Sequence, residues 1–376
     1  MSSLSRLTIN LKAVVDNWGL LNQKIGSGSR CAAVVKANAY GLGVAPIAKA
    51  LFEGGCRVFF VATFDEGIEL RKSLGPLECE IIVFGGLFYD AGEQTCSSGW
   101  SRYSLIPVLF SVKHLARWAF FNSQVQKVLP CVIKVDTGMH RMGMSVAELN
   151  GQLECGRISE LQPACLMGHF ACADKPDHPR NTSQMAIFRE CLANIKVHLP
   201  AIQASMCNSA GIFLDEDVYY DLVRPGIALY GGNPCPSIPN PMQSVVRLEL
   251  GVMQVKVVEA GESVGYGASY VAEGKTRLAI VSGGYADGLH RVLSNVGYAY
   301  CSGQKVPIVG RVSMDTMAFD VTHVVNSDLS VIDILGKDQT IDDLAHAAGT
   351  IGYEILTSLG SRFQRDYVYL DEGVVT

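Results

Sequence analysis

The sequence contains no Cys-x-x-Cys pair, although twelve of its 376 residues are cysteine. That absence removes the commonest zinc and dithiol spacings. Cys31, Cys131 and Cys165 lie instead in apolar, strand-like stretches, where a free thiol behaves as a small hydrophobe. Reduced, structural thiols in a reducing compartment are expected. Charge is scarce at 18%, and there is no basic excess, the net charge being −5. This balance argues against general nucleic-acid or anionic-membrane binding, yet it leaves room for a local cationic pocket. No run approaches the roughly 20 apolar residues of a membrane span. The opening Met1-Ser-Ser-Leu-Ser-Arg6 has no apolar signal core behind it, since Asn10, Lys12, Asp16 and Asn17 interrupt one. The cytoplasm is the expected location, with no membrane and no nucleic-acid partner. His114, His198, His323 and His346 show no metal-ligand spacing, and no metal is expected.

What is present is an alternation. Through the first 230 or so residues, short apolar runs are followed by longer amphipathic stretches. The strand candidates are Ala32–Val35, Val58–Ala62, Glu80–Phe84, Leu105–Leu109, Val132–Val135, Cys165–His169, Ile202–Met206 and Tyr220–Arg224. Leu11, Val14, Val15, Trp18 and Leu21 form one helical face that Asn10 can cap. Ile47 and Leu51, closed by Gly54-Gly55, form another. About eight βα units predict an α/β chain with an N-terminal (β/α)8 TIM-type barrel, and on strand count alone an open doubly wound sheet competes with it. Gly231–Pro241, with four prolines and two glycines, reads as a boundary. Beyond it, alternation over Val245–Leu250, Met253–Val258, Leu278–Val281, Val306–Val309 and Leu329–Ile334 predicts a mainly β domain. One helix is expected there, Ile341–Ala348, with Asp342 and Asp343 in its first turn. The expected domains are 1–232, whose first few residues can pack on the second domain, and 233–376.

In a barrel, chemistry gathers at the C-terminal ends of the strands. There the sequence places Lys36, then Lys134, Asp136 and Arg141, then His169, Asn208-Ser209 and Arg224. Small and β-branched residues precede Lys36, so its stem is expected to be buried. Burial lowers an amine's pKa, and a neutral amine can attack a carbonyl to form a Schiff base. A lysine reaching out to solvent from a strand end is the plainer alternative. Gly41 and Gly43 suit close approach of backbone to a ligand, and Tyr40 adds a hydroxyl. Asn208-Ser209 and Gly226-Ile227 follow the last two strands, where many barrels hold phosphate, although they also suit caps and turns. A Schiff-base lysine opposite a phosphate cradle suggests pyridoxal phosphate.

Val35-Lys-Ala-Asn-Ala-Tyr-Gly-Leu-Gly43 resembles the cofactor-attachment signature of alanine racemases. In the same order come Lys134–Gly143, Gly168–Asp174, Asn208–Gly211, Val223–Gly231, Val264–Gly267, Gly284–Gly288, Gly310–Asp315 and Tyr353–Gly360. The resemblance covers essentially the whole chain. It implies a barrel that binds pyridoxal 5'-phosphate, a following β domain, and a head-to-tail homodimer with shared sites, acting on L- and D-alanine to supply D-alanine for peptidoglycan.

The resemblance also implies roles. Lys36 holds the cofactor and serves as one acid/base group, and Tyr266, delivered from the partner chain, serves as the other. Arg224 meets the pyridine nitrogen. Arg141 lies at the cofactor phenolate and the substrate carboxylate, and Lys134, carbamylated in many members, positions it. His169 links Arg224 to Tyr266. Tyr40, Asn208, Ser209, Gly226, Ile227 and Tyr353 match cofactor ligands, most of them at the phosphate. The Met314 backbone N–H receives the substrate carboxylate, and Tyr285 and Asp315 stand near the entrance. Departures from the family pattern occur at Ser313, at Thr316 and in Gly288-Leu-His-Arg291, all near that entrance, so they bear on selectivity. A racemase acting on serine or basic amino acids, a decarboxylase of the same architecture and a non-catalytic cofactor carrier are the alternatives. The region carrying Tyr266 and Met314 argues against the last.

Overall fold

The computed structural model describes residues 5–87, 99–325 and 329–371. Seven parallel strands lie side by side in chain order: Ala33–Val34, Val58–Val61, Glu80–Val83, Leu105–Leu109, Val132–Lys134, Cys165–Met167 and Gln203–Ser205. Strands covered on both faces read as unbroken apolar runs, and all of Val58–Val61 and Leu105–Leu109 is buried. The eighth expected strand is short, Leu222–Val223, and it pairs in parallel with Arg30–Cys31. Its flanks close the ring. Asp221 and Arg224 donate backbone bonds to Ala204 and Cys207 on one side, and Val223 and Pro225 accept from Ala32 and Val34 on the other. The barrel reading therefore stands, and the open sheet falls away.

The helices form where apolar spacing and caps coincide. Leu11–Ile25 starts at Asn10, whose side chain accepts from the Lys12 and Ala13 N–H groups, and it buries Leu11, Val14, Trp18, Leu21 and Ile25. Val44–Glu53 stops at Gly54, as expected.

The β domain is built on an eight-stranded sheet, with a separate two-stranded hairpin of Ser263–Val264 and Tyr270–Val271. At its centre, Val246–Val258 merges two expected strands across an irregularity between Val252 and Gln254. It pairs with Val331–Leu335, with Thr276–Ser282 and with Arg6–Asn10. The last of these lies at the start of the chain, and it also pairs in parallel with Gln364–Val368. Both ends of the chain thus belong to this sheet. Ile341–Ala347 forms the expected helix, capped by Thr340. A second helix, Gly352–Ser358, was not expected; it begins after Ile351 without a side-chain cap.

The chain's C-terminal segment grips the barrel just past Lys36. The Tyr367 hydroxyl donates to the Leu42 carbonyl at 2.9 Å, and Arg365 donates to the Gly41 carbonyl at 3.2 Å. This contact corrects the reading of two glycines. A Cβ at Gly41 would lie 2.7 Å from the Leu356 carbonyl, and one at Gly43 would overlap the Tyr367 hydroxyl. These glycines admit the β domain, not a ligand.

Candidate active site

The segment after Lys36 is unusual. Ala37, Asn38, Ala39 and Tyr40 all have φ between 52° and 56°, a left-handed turn built without glycine. Each such residue costs roughly 1–2 kcal/mol, so surrounding bonds must hold it. Ala39 donates to Val35 and Gly41 to Ala37. The Asn38 side chain accepts from the Val44 N–H at 2.7 Å. The turn sends Tyr40 inward, with its ring 4.6 Å from Tyr230 and 5.8 Å from Tyr353. Tyr353 therefore joins the barrel mouth of its own chain. Burial pushes the Tyr40 phenol well above its ordinary value, and burial with Asp174 and Asp342 nearby pushes Tyr353 up to about 12. Both remain hydroxyl donors.

Lys36 differs from expectation in one respect. Val34 and Val35 are buried, but Lys36 itself is exposed at the open mouth. Protein crowds it from the sides; this desolvation, with Arg141 nearby, lowers its amine pKa, and Glu66 opposes the shift. Lys134 is deeper, at 6% exposure. Burial, then Arg224 and Arg141, lowers its amine from 10.5 to about 8.

Arg224 is 2% exposed and central. It donates to the Ser205 hydroxyl, to the Gly168 carbonyl at 2.8 Å and to the Met206 carbonyl at 3.3 Å, and it meets His169 Nδ1 at 3.3 Å. Burial lowers its pKa to about 10, so it stays charged at neutral pH. Burial and the cations Arg224, Lys134, Arg141 and Lys36 hold His169 well below its ordinary pKa. Arginine can only donate, so the neutral imidazole accepts at Nδ1 and carries its proton on Nε2.

Ser209, buried, accepts from the Gly226 N–H at 2.8 Å and from the Ala228 N–H at 3.4 Å. The Gly226 N–H is therefore already engaged within the loop. A Cβ on Gly226 would overlap the Tyr40 hydroxyl, so only glycine lets these groups meet. Ile227 opens the following short turn and is buried. Asn208 acts as a cap, accepting from Gly211 and donating to the Phe170 carbonyl.

Two further residues support this mouth: Asp136, expected beside Lys134 and Arg141, and Gln184, which the sequence does not single out. Asp136 Oδ1 accepts from the N–H groups of Gly138, Met139 and His140, folding the loop that delivers Arg141. Gln184, fully buried on the helix Pro179–His198, donates to the Thr137 hydroxyl and the His169 carbonyl and accepts from Ala171. It ties the Arg141 loop to His169. A glutamine on a long helix carries no signal of this in sequence.

The remaining expected residues lie apart, on the β domain. Tyr266 is 72% exposed, Met314 53% and Tyr285 42%. Tyr266 sits on a short turn between Gly265 and Gly267, both at positive φ, with the Arg311 guanidinium packed beneath. The Tyr285 and Ala286 N–H groups donate to the carbonyls of Ser313 and Met314, and the Ser313 and Thr316 hydroxyls bond to each other at 2.9 Å. Asp315 pairs with Arg362 at 2.7 Å. Among the described residues, no hydrogen bond or ion pair joins this group to the barrel mouth.

The mouth fits the expected cofactor on its own chemistry. Lys36, Lys134, Arg141 and Arg224 converge there, with Glu66 and Asp136 as nearby acids. Both carboxylates are held by backbone N–H groups. That excess favours a polyanion. The Arg224 Nε is buried and has no partner, an expensive state unless a ligand acceptor meets it. A pyridine nitrogen is such an acceptor, and the Tyr40, Ser209 and Tyr353 hydroxyls suit phosphate.

The lowered Lys134 pKa has a stability consequence. Between about 8 and 10.5 the unfolded chain holds this proton more tightly than the folded one. Stability therefore rises with pH across that window, and the full penalty applies below it. In cofactor-free protein kept clear of carbon dioxide, Lys134→Met is expected to remove about 3 kcal/mol of this dependence. Urea midpoints of both proteins at pH 7.5 and 10 measure it; parallel midpoints would contradict the burial argument.

Comparison with known proteins agrees with this geometry. Residues 9–234 match the family "Alanine racemase, N-terminal domain", and residues 245–367 match "Alanine racemase, C-terminal domain". An alanine racemase of Rhodospirillum rubrum is 42% identical over 371 residues, 98% of this chain and 96% of that one. A catabolic alanine racemase of Agrobacterium fabrum is 43% identical, covering 96% of this chain and 92% of its own. The crystal structure of alanine racemase from Bartonella henselae with covalently bound pyridoxal phosphate superposes with a TM-score of 0.90 at 37% identity, covering 97% of this chain and 99% of that one. With both family models matched in order and relatives aligned from end to end, this chain belongs to the alanine racemase family.

Proposed function

We propose that the protein is an isomerase that interconverts L- and D-alanine with pyridoxal phosphate, using two bases from two chains of a head-to-tail homodimer. The observation that carries the reading is the buried, unpartnered Arg224 Nε beside an excess of cations at the barrel mouth. Lys36 would hold the cofactor. Arg224 would meet its ring nitrogen, and Tyr40, Ser209, Tyr353 and the Ile227 backbone would hold its phosphate. When bound, the cofactor delocalises the electron pair left by loss of the alanine Cα proton.

The protein's own residues supply the rest. Inversion requires a proton taken from one face and returned on the other, and two fixed bases do this with little movement. Lys36 takes the proton of D-alanine and Tyr266 that of L-alanine. Tyr266 is far too exposed in one chain to act in a dry site, and its isolation from the mouth supports delivery to a partner's barrel. The partner's Met314 N–H and this chain's Arg141 bind the substrate carboxylate. Arg224 remains protonated and only donates, so it leaves the ring nitrogen without a proton. Lys134 has a neutral fraction near pH 8 that can add to carbon dioxide. The nitrogen lone pair forms the N–C bond, the N–H proton leaves to solvent, and the new carboxylate steadies Arg141. Supply of D-alanine for peptidoglycan, in the cytoplasm, is the role this reading suggests.

Purified protein loaded with pyridoxal phosphate is expected to convert L-alanine to a near-equal mixture of enantiomers, with slower turnover of L-serine and L-lysine. Chiral chromatography reads the outcome. No D-alanine from loaded protein would overturn the proposal, and faster turnover of serine or lysine would reassign the substrate.

A further inference from the structure

Glu66 sits in the first turn of the helix Phe64–Leu74, three residues after Thr63. In sequence this is an ordinary capping box, in which the glutamate returns to the N-cap N–H. The structure gives it that bond, but only at 3.3 Å. Its shorter bonds lead elsewhere. Oε2 accepts from the Ala62 N–H at 2.6 Å, at the end of the strand Val58–Val61, and Oε1 accepts from the Ala37 N–H at 2.9 Å. Ala37 is the first residue of the left-handed turn and the residue after Lys36.

A helical turn of either hand leaves its first N–H groups without partners inside the turn. Glu66 supplies one from another βα unit. The bond fixes the peptide between Lys36 and Ala37, and so fixes the direction in which the Lys36 side chain leaves the backbone. We propose that Glu66 is the positioning residue for Lys36, holding the strained turn from outside and setting the charge against which the Lys36 amine works. The proposal rests on the assignment of Lys36 as the reactive amine.

The charges around Lys36 make the second half of this role specific. Arg141 approaches from the loop after Val132–Lys134 and Lys134 from that strand, while His169, at the end of Cys165–Met167, is neutral. The Phe84 ring centroid is 6.0 Å from Nζ. Glu66 is the carboxylate that opposes these cations at Lys36, raising the amine pKa that burial and Arg141 lower. Removing its charge should leave Lys36 more easily deprotonated and the turn less firmly held.

The test uses the full chain and three variants. In cofactor-free protein, the pH dependence of Lys36 acetylation by acetic anhydride, read by mass spectrometry, gives the amine's midpoint. In cofactor-loaded protein, hydrogen exchange of the peptide 37–43 reads the turn. Glu66→Gln is expected to move the midpoint to lower pH and to speed exchange at least about tenfold. Thr63→Ala, which weakens the helix cap but leaves the Ala37 bond, is expected to leave both unchanged. Glu66→Asp, which keeps the charge but shortens the reach, is expected to speed exchange while holding the midpoint near wild type; it also serves if Glu66→Gln does not fold. An unchanged midpoint in Glu66→Gln, or an equal shift in Thr63→Ala, would overturn the proposal. Neither result depends on D-alanine formation, so failure of the racemase reading is seen separately.

Discussion

Lys36→Ala is expected to lose at least about 10⁴-fold in kcat, because in the proposed reaction one side chain performs two separable tasks. In that reaction its amine both bonds covalently to a carbonyl at the mouth and acts as the base on one face of the substrate. Its exposure at the open end gives it access to both. The rest of the mouth is untouched by the substitution: Arg224, Ser209, Tyr40 and Tyr353 keep their positions, since none bonds to Lys36. The variant should therefore still bind pyridoxal phosphate, but release it on dialysis. Borohydride treatment followed by mass spectrometry should label wild type on the Lys36 peptide and leave the variant unlabelled. Label at Lys134 in the wild type would reverse the assignment of the two amines.

Much of this site is legible along the chain because of how parallel barrels are made. Their strands are buried on both faces, so an ionisable residue within or just after an apolar run stands out. Lys36, Lys134, His169 and Arg224 are all found this way, and the fold gathers them at one end. The same logic misleads where the neighbour is protein. Gly41 and Gly43 have the look of ligand-contacting glycines, yet they make room for Leu356 and Tyr367 from more than 300 residues away. The stem of Lys36 looks buried because Val34 and Val35 are, but the turn that follows leaves Lys36 at the surface. Gln184 and Glu66 are silent for a different reason. Each has an ordinary local explanation, a helix face or a cap, and its second partner becomes visible only in three dimensions. In the β domain, the helix Gly352–Ser358 lacks a side-chain cap to announce it. The strand Arg6–Asn10 shows its alternation in Leu7 and Ile9, but its partners lie about 240 and 360 residues later.

In the proposed dimer the barrel and the β domain of one chain serve different sites, and that separation makes the second large effect testable. Tyr266→Phe removes a single oxygen from a side chain that is 72% exposed and makes no hydrogen bond among the described residues. Folding and cofactor binding should be unaffected, with the thermal midpoint and the cofactor absorbance of wild type. Racemisation should nonetheless fall by about 10²–10⁴-fold, the usual cost of losing a general acid/base group. Mixing decides where that oxygen acts. A heterodimer of Tyr266→Phe with Lys36→Ala contains one site carrying both lesions and one carrying neither, if each barrel takes its tyrosine from the other chain. With random assortment, about half of the dimers are mixed and each has one working site, so about a quarter of wild-type activity should return. If Tyr266 served its own barrel, every site in the mixture would carry one lesion and nothing would return. Unfolding and refolding the two variants together, with each refolded alone as the control, separates these outcomes by far more than assay error.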